Sequence, residues 1–306
     1  MYPYINVFGR PFSSYGVFAL IGLAAAVIYS FIVHKITKDK KDFFDRIIYI
    51  VYCGAAGGLC AGILYQITNI KYIIQGLPYL FTDFEKFKTY MSFGIVFYGG
   101  MIGIFIGFMI YTKYFKEDTR MWLMTSVPGI PLFHAFGRMG CTIGGCCYGL
   151  PHVHVGSYNE ATGLFDIENN PIFNGFSVYN ARTGSYHLPI QLIESAGLFA
   201  IFAILVVFLI FIYKKKAYYK PMGLYFVLYG ILRFVDEFFR GDSIRGIWGP
   251  FSTSQYISLF IIPIGIYCLI CPTEKNFFEK WYTPGKAKKA TEKEADKTEE
   301  NKVKEN

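Results

Sequence analysis

The chain alternates between long apolar runs and shorter segments in which charged and polar residues are concentrated. Crossing the hydrocarbon core of a bilayer as a helix takes about 20 mostly apolar residues, and seven runs in this sequence meet or approach that length. They cover residues 15–33, 47–67, 93–111, 121–136, 192–213, 223–239 and 255–270. The pattern predicts an all-α, polytopic membrane protein with about seven transmembrane helices.

The fourth run differs from the others because it is short and contains Pro128 and Pro131. A proline in a helix interior removes a backbone hydrogen bond and clashes with the preceding turn. We therefore expect this span to be kinked or broken, with the freed backbone groups buried against other parts of the protein.

Basic residues are concentrated in the segments after the first, third and fifth runs and in the tail after residue 271. Lysine and arginine favour the cytoplasmic side of a membrane, and seven spans put all four of these segments on one side. The pattern predicts an N-terminus outside and a cytoplasmic C-terminus. The N-terminal segment before the first run lacks the basic stretch of a signal peptide, so we expect the first span to be retained.

The polar segments predict one membrane domain with a cap and a tail. Residues 1–271 form the membrane-embedded domain. Its insert 150–187 is expected to be a small, outward-facing, ordered cap, because Gly, Asn and Pro turn signals interrupt it. Residues 272–306 form a charged cytoplasmic tail in which Lys and Glu alternate with almost no apolar residues. Such a segment is expected to be disordered or a loose, solvated helix.

Composition narrows the class of protein further. Of the 306 residues, 53% are hydrophobic and 17% are charged, whereas soluble domains carry about 25% charged residues. The net charge of +8 is explained by the basic loops, so we expect a lipid bilayer and no nucleic acid as a partner. The seven cysteines form no paired C-x-x-C motifs, which argues against a structural zinc site or a secreted disulfide framework.

The sixth run contains ionisable residues at helical spacing. Tyr229, Arg233 and Glu237 follow one another at intervals of four, so a helix places them on one stripe, with Arg240 close to it. An arginine inside a membrane helix is costly and marks a functional site by default. An Arg–Glu pair above a tyrosine suits an anionic ligand. The alternative is a pair that extends along the helix towards the outer surface.

A Gly-rich segment from His134 to Gly149 follows the fourth run. Its glycines allow backbone amides to approach a ligand, and Arg138 supplies a planar cation that matches a phosphate. We expect a cradle for a phosphate or a lipid headgroup near the outer edge of the membrane. The alternative is a re-entrant turn whose arginine only anchors it at the interface.

Three cysteines, Cys141, Cys146 and Cys147, lie in the same segment. Their spacing matches no common metal site, and a buried cysteine is often a small apolar residue. We predict no metal and no cofactor, and keep the three cysteines as possible participants in thiol chemistry.

Two further segments carry candidate residues. Gly99, Gly103 and Gly107 form a small-residue stripe that favours close helix packing, and the neighbouring Tyr98 could face a cavity. Gln191 and Glu194 open the fifth run, where polar groups are costly unless they are paired. A structural hydrogen bond and a ligand contact both explain them.

Six segments of this sequence, in the same order, resemble the prolipoprotein diacylglyceryl transferase family. The resemblance covers residues 15 to about 255, and the sixth-run stripe is its most specific part. The matching segments are Tyr15-Gly16, Gly99-Gly100-x-x-Gly103, Arg138-x-Gly140 leading to Gly149, Pro189-x-Gln191-x-x-Glu194, Tyr229-x3-Arg233-x3-Glu237-x2-Arg240 and Ser254-Gln255.

The resemblance implies an enzyme of the bacterial cytoplasmic membrane. It would move the diacylglyceryl group of phosphatidylglycerol to the lipobox cysteine thiol of a secreted prolipoprotein precursor, forming a thioether and releasing glycerol phosphate. Arg138 and Arg233 would stabilise the leaving phosphate, and Glu237 would orient Arg233. The implied catalytic residues are Arg138, Arg233, Glu237, Tyr229 and Tyr98. The implied substrate-binding residues are Tyr15, Gly99, Gly100, Gly103, Gly140, Gly149, Gln191, Glu194 and Arg240.

Departures from the family pattern concern proton transfer. The glycine stretch usually begins with His, a proposed proton acceptor, and begins here with Tyr98, a far weaker base. The Asn and Glu that usually follow the arginine are Cys141 and Cys146. Three alternatives stay open: the same transferase with its base dispensable or supplied elsewhere, a related transferase that uses an anionic phospholipid with a different acceptor, and a non-catalytic lipid-binding membrane protein.

Overall fold

The structure is a computed structural model of the full chain. It describes residues 4–7, 9–37, 43–90, 97–115, 117–151, 153–159, 164–169, 176–180, 183–242 and 247–278. The predicted charged tail from residue 279 onwards lies outside these residues. The described residues form two compact units: residues up to 37 with residues 123–278, and residues 43–122.

Helices form most of the described chain. They are α1 (Ser14–Thr37), α2 (Phe43–Thr68), α3 (Ile70–Gly76), α4 (Phe84–Tyr90), α5 (Phe97–Tyr114), α6 (Thr119–Ser126), α7 (Gly129–Gly144), α8 (Ile190–Tyr213), α9 (Lys220–Asp236) and α10 (Thr253–Ile270). Short 3-10 turns occupy Leu77–Tyr79, Glu237–Phe239 and Thr273–Lys275.

Four short antiparallel hairpins lie outside the helices among the described residues. They pair β1 (Tyr4–Val7) with β2 (Arg10–Ser13), β3 (Val153–Asn159) with β4 (Leu164–Asn169), β5 (Val178–Asn180) with β6 (Ser185–His187), and β7 (Ile247–Trp248) with β8 (Phe251–Ser252). The second and third hairpins lie within the insert 150–187 for which an ordered cap is predicted.

Four helices, α1, α2, α8 and α10, are long and apolar enough to cross a membrane. Large apolar side chains cover their outward faces: Leu20 and Leu59 are each 68% exposed, and Phe260 is 75% exposed. Soluble proteins rarely expose continuous apolar surface of this kind, whereas a bilayer solvates it. The chain is therefore an all-α membrane protein, as the apolar pattern predicts.

The fourth apolar run is broken at Pro128, as predicted, whereas Pro131 lies in the first turn of α7. α6 ends at Ser126 and α7 begins at Gly129, with Pro128 at the cap of α7. α7 then continues through the Gly-rich segment to Gly144, so the cradle of backbone amides expected there is wrong for this stretch. Amide groups in a helix interior are already bonded within the helix, and Arg138 lies on a helix rather than in a turn.

In the first unit, each long helix packs against the next: α1 on α7, α7 on α8, α8 on α9 and α9 on α10. The Ser195 hydroxyl on α8 donates to the Ala135 carbonyl on α7 over 3.0 Å, and the two groups are buried. α10 begins with a capping box, in which Ser252 and Gln255 each bond the other's backbone amide. This order places α7, α8 and α9 side by side.

In the second unit, α2 packs against α5 through glycines. A Cβ atom added to Gly99 would lie 2.6 Å from the Cys60 carbonyl oxygen, and one added to Gly103 would collide with the Ala56 carbonyl. The two backbones are therefore in direct contact, which confirms the packing role predicted for the glycine stripe. The side chain of Tyr98 lies outside the described residues.

Candidate functional site

Two guanidinium groups and one carboxylate meet inside the first unit. Arg138 comes from α7, Glu194 from α8 and Arg233 from α9. Arg138 Nη2 lies 2.9 Å from Glu194 Oε1, and Arg233 Nη1 lies 3.8 Å from Glu194 Oε2. Glu194 is only 1% exposed, and a charge buried this deeply is tolerated only when it is paired. Glu194 therefore joins the two arginines into one cluster.

Arg233 has two further partners. Its Nη2 lies 2.8 Å from Glu237 Oε2, at the i, i+4 spacing from which the sequence predicted a pair. The same nitrogen donates to the Ser254 hydroxyl at the start of α10 over 3.0 Å. The guanidinium group is thus held by carboxylates from α8 and from the 3-10 turn after α9, and by a hydroxyl group from α10, which fixes its orientation.

Each arginine retains a buried donor. Arg138 Nε and Arg233 Nη1 have no hydrogen-bond partner within the part of the chain that the structure describes. A buried donor without an acceptor costs about 1–3 kcal/mol. An anion whose oxygens approached these nitrogens would remove that cost, so the cluster is suited to bind one.

Aromatic and acidic side chains surround the arginine cluster. The rings of His134 and Tyr229 meet edge-to-face at 5.6 Å, and Tyr229 stacks on Tyr225 at 5.5 Å. Asp236, at the end of α9, is 3% exposed. The sequence reasoning did not place His134 or Asp236 here. His134 lies four residues before Arg138, and Asp236 lies one residue before Glu237. These positions indicate that both side chains lie near the cluster.

The end of α7 is closed by a Schellman motif. Gly145 adopts the left-handed conformation, with φ of 69°. Its amide donates to the Thr142 carbonyl over 3.3 Å, and the Cys146 amide donates to the Cys141 carbonyl over 3.2 Å. This motif brings the residue after the glycine back over the last turn of the helix, which places Cys146 beside Cys141.

The turn after α7 is anchored by two buried amides. Gln191 Nε2 donates to the Cys146 carbonyl over 2.6 Å, and Asn180 Nδ2 donates to the Gly145 carbonyl over 3.1 Å. Of the two explanations left open for Gln191, the structure therefore shows the structural hydrogen bond. Asn180, on β5, was not among the predicted residues, because its partner is distant in the sequence.

The sulphur atoms of Cys141, Cys146 and Cys147 lie within 4.8 Å of one another. Cys147 lies in the loop after α7, where hydrogen bonds from the other two thiols lower its pKa. The positive charges of Arg138 and Arg240 lower the pKa of Cys147 further. The same hydrogen bonds raise the pKa of Cys141, so negative charge in the cluster is favoured on Cys147 and not on Cys141.

Gly140 and Gly149 occupy positions of close packing. A Cβ atom at Gly140 would lie 3.1 Å from the Tyr15 Cα atom on α1, and one at Gly149 would lie 2.5 Å from the Leu188 carbonyl oxygen. Gly149 also bonds Leu188 through its amide at 3.0 Å. These glycines let the start of α1 and the start of α8 approach α7 and its following loop.

Arg240 does not continue the stripe of α9, which corrects the helical prediction. α9 ends at Asp236, a 3-10 turn follows, and Arg240 has an extended backbone with ψ of 139°. Its guanidinium forms a two-point pair with Asp242, at 2.9 Å from Oδ1 and 2.6 Å from Oδ2.

Tyr15, at the start of α1, has an electrostatic interaction with Arg138.

The structure therefore brings Arg138, Glu194, Tyr229, Arg233 and Glu237 together in the first unit. Tyr15, Gly140 and Gln191 are linked to them through α7 and its following loop. The other predicted residues, Tyr98, Gly99, Gly100 and Gly103, belong to α5 in the second unit, and their part in substrate binding stays a prediction.

Comparison with known proteins identifies the family. A family model described as prolipoprotein diacylglyceryl transferase matches residues 4–271. The phosphatidylglycerol–prolipoprotein diacylglyceryl transferase of Clostridium tetani is 35% identical over 266 residues, which cover 86% of this chain and 94% of that protein. The phosphatidylglycerol–prolipoprotein diacylglyceryl transferase 2 of Clostridium perfringens is 33% identical over 263 residues, which cover 85% of this chain and 91% of that protein. Because these matches cover most of this chain and most of each similar protein, the chain belongs to the prolipoprotein diacylglyceryl transferase family.

Proposed function

We propose that this chain is a phosphatidylglycerol–prolipoprotein diacylglyceryl transferase. It takes the diacylglyceryl group from phosphatidylglycerol and attaches it to the lipobox cysteine of a secreted prolipoprotein. Membership of the family supports this reaction, and so do the names of the similar enzymes from the two clostridia. The donor lipid and the precursor protein are then its partners, together with the bilayer.

The observation that carries the proposal is the buried arginine cluster. Arg138 and Arg233 share Glu194, and each keeps a buried nitrogen that makes no hydrogen bond among the described residues. A phosphodiester presents oxygens that match the forked donors of arginine. Water and salt screen such contacts weakly in a buried site.

The charge changes of the reaction explain why two arginines are useful. The acceptor thiol loses its proton, and its sulphur attacks the glyceryl carbon that carries the phosphate ester. A C–S bond forms, a C–O bond breaks, and glycerol phosphate leaves with one more negative charge than the diester had. Donors fixed around that developing charge lower the barrier. Arg138 and Arg233 supply these donors, Glu237 holds Arg233, and Tyr229 bonds the headgroup.

The proposed topology has seven spans in the bacterial cytoplasmic membrane, with the N-terminus outside and the C-terminus inside. Four spans are the long apolar helices. α5, the broken pair α6–α7, and α9 with its 3-10 turn coincide with the remaining three apolar runs. In this arrangement residues 1–271 form one membrane domain, the insert 150–187 caps its outer side, and residues 272–306 form the cytoplasmic tail.

A second candidate is a transferase that uses the same donor lipid with a different acceptor. The residues that favour it are Tyr98, Cys141 and Cys146, at positions where the family resemblance implies a proton acceptor and two polar groups. The lipid-binding arginines are the same in both candidates, so only the acceptor distinguishes them.

The test is transfer by the purified full-length protein in phosphatidylglycerol vesicles to a lipobox peptide, measured by mass spectrometry. We expect the peptide to gain the mass of a diacylglyceryl group, and a peptide with Ser in place of the acceptor Cys to gain none. Phosphatidylcholine vesicles are the donor control. An unchanged peptide, under conditions in which the Clostridium tetani enzyme transfers, would contradict the proposal. Turnover of phosphatidylglycerol only with other acceptors would favour the second candidate.

A further inference from the structure

Three thiols converge at the end of α7. Cys141 lies in the last turn of the helix, and Cys146 and Cys147 lie in the loop that follows. Their sulphur atoms are all within 4.8 Å of one another, with Cys141 buried and the other two half-buried. The Schellman motif brings Cys146 back beside Cys141.

The backbone of the loop that carries Cys146 and Cys147 is held in place by hydrogen bonds. The carbonyl groups of Gly145 and Cys146 accept hydrogen bonds from Asn180 and Gln191. Cys147 has a φ of 56°, one of two positive values at non-glycine residues in the described chain. A left-handed residue with a side chain costs about 1–2 kcal/mol, and such conformations persist only where the surroundings impose them. The left-handed conformation of Cys147 accompanies the close approach of its thiol to those of Cys141 and Cys146.

Three converging thiols match a thiophilic cation. Thiolate ligands select Zn²⁺ and Cu⁺ over hard cations. With Zn–S bonds of about 2.3 Å in a tetrahedral site, neighbouring sulphur atoms lie about 3.8 Å apart. Separations of up to 4.8 Å therefore need to shrink by about 1 Å at most, which rotations of half-buried side chains supply.

The surrounding charges suit thiolate ligands. Arg138 and Arg240 both have electrostatic interactions with Cys147. Three thiolates around one divalent cation carry one net negative charge, which these guanidinium groups offset. Cys146 and Cys147 are half-buried, so neither thiol is fully enclosed by the protein.

We propose that Cys141, Cys146 and Cys147 bind a thiophilic divalent cation of the Zn²⁺ class, and that its fourth coordination position receives the acceptor thiol. The second half of this proposal rests on the proposed function. Catalytic zinc sites keep one position open, and a thiol that binds the metal loses its proton. The proton passes to solvent, and the metal-bound thiolate is the nucleophile that forms the C–S bond.

The site is tested with the full-length protein in lipid nanodiscs, reduced by a non-thiol reductant and stripped with a chelator. Co²⁺ is the probe, because thiolate ligands give it a sulphur-to-metal charge-transfer absorption. We expect one Co²⁺ to bind per chain with this absorption, and Zn²⁺ to displace it. Absence of the absorption in the wild-type protein would overturn the site.

Serine substitutions identify the ligands. Cys146→Ser is expected to weaken Zn²⁺ binding by more than the roughly 10- to 100-fold that loss of an outer-shell partner costs. Cys271→Ser is the matched control, since Cys271 is also half-buried and lies after α10. It should leave the titration unchanged. An absorption that survives the triple change of Cys141, Cys146 and Cys147 to Ser would overturn the assignment.

The fourth position is tested with the lipobox peptide. The Cys-containing peptide is expected to strengthen the charge-transfer absorption of the Co²⁺ protein, and the Ser-containing peptide should not change it. A spectrum that does not respond to the Cys peptide would overturn the acceptor's place on the metal.

Transfer by the same preparation separates this proposal from the proposed function. Full-rate transfer after complete removal of metal overturns the role of the cation and supports the transferase. No transfer by the metal-loaded protein contradicts the transferase, whereas the absorption spectra still decide whether the three cysteines bind metal.

Discussion

Burying two guanidinium groups in a helical bundle is costly in free energy unless each finds an anionic partner. Glu194 meets that requirement for both Arg138 and Arg233, at 2.9 Å and 3.8 Å. Glu237 adds a second carboxylate for Arg233. Glu194, for which the sequence leaves both a structural and a ligand role open, therefore holds the cluster together.

Glu194→Gln tests this role. Removing the carboxylate leaves two neighbouring guanidinium groups without their shared partner, so we expect a loss of stability of about 3–5 kcal/mol, measured by chemical unfolding in detergent. The control is Glu85→Gln, because Glu85 pairs with Lys88 at 2.7 Å on an exposed surface. Exposed pairs contribute about 0–1 kcal/mol. Equal losses in the two variants would contradict the bridging role.

Arg233 is the residue whose loss should affect chemistry most. Arg233→Ala is expected to abolish measurable transfer, because removal of one fixed donor from a developing charge costs roughly 100- to 1000-fold in rate. Membrane insertion should be unimpaired. Arg233→Lys retains the charge and is expected to recover only part of the rate, since lysine lacks the forked donor set.

The matched control for Arg233 is Arg120→Ala. Arg120 pairs with Asp118 at 3.3 Å near the surface, so its removal should leave transfer unchanged. Wild-type rates in Arg233→Ala, with both variants inserted to the same extent, would refute the role assigned to Arg233.

At the residue scale, local spacing predicted only local contacts. The Arg233–Glu237 pair follows from four residues of separation on a helix. The Arg138–Glu194 pair joins two helices that the insert 150–187 separates in the chain, and no periodicity in the sequence encodes which helices become neighbours. Arg240 lies off the expected stripe because the α-helix α9 ends at Asp236. A 3-10 turn follows it, and the backbone at Arg240 is extended.

At the scale of elements, the end of α7 decides where the chemistry-bearing side chains lie. The Gly144-Gly145 pair followed by Cys146-Cys147 is a Schellman signature that the sequence contains, and it could have predicted that Cys146 folds back onto Cys141. The Gly-rich composition predicts a ligand cradle, whereas most of these glycines form a helix and allow close packing.

Two adjacent glycines provide a test of this element. Gly145→Ala places a side chain at φ of 69°, which costs about 1–2 kcal/mol, and should displace Cys146. Gly144→Ala is the control, because Gly144 is helical and an added Cβ there has no atom within 4 Å. It should be neutral or stabilise by about 0.5–1 kcal/mol. Thermal unfolding compares the two, and equal effects would contradict the capping motif.

At the scale of the whole molecule, the apolar pattern predicted the membrane class, and four helices are long enough to span. The number of spans follows less directly, because α6, α7 and α9 are shorter than a full crossing. Tertiary packing, rather than length alone, lets such helices lie in a bundle.

The number of spans is testable through the chain ends. Seven spans put the N-terminus and the C-terminus on opposite sides, whereas six or eight put them on the same side. We expect a fluorescent protein fused after residue 306 to fold in the cytoplasm, and an N-terminal epitope tag to be reached by antibody on spheroplasts without lysis. Accessibility of both ends from one side would contradict the seven-span arrangement.

In the proposed function, Arg138 and Arg233 together bind the phosphate of an anionic lipid. The dissociation constant for phosphatidylglycerol measures this binding, by native mass spectrometry of the wild-type protein and of Arg138→Gln and Arg233→Gln. Charge-assisted hydrogen bonds contribute about 1.5–3 kcal/mol, so each change is expected to weaken binding of phosphatidylglycerol roughly 10- to 100-fold, and to leave binding of diacylglycerol, which has no phosphate, unchanged. An affinity for phosphatidylglycerol that is unchanged in both correctly inserted variants would contradict phosphate binding by the two arginines.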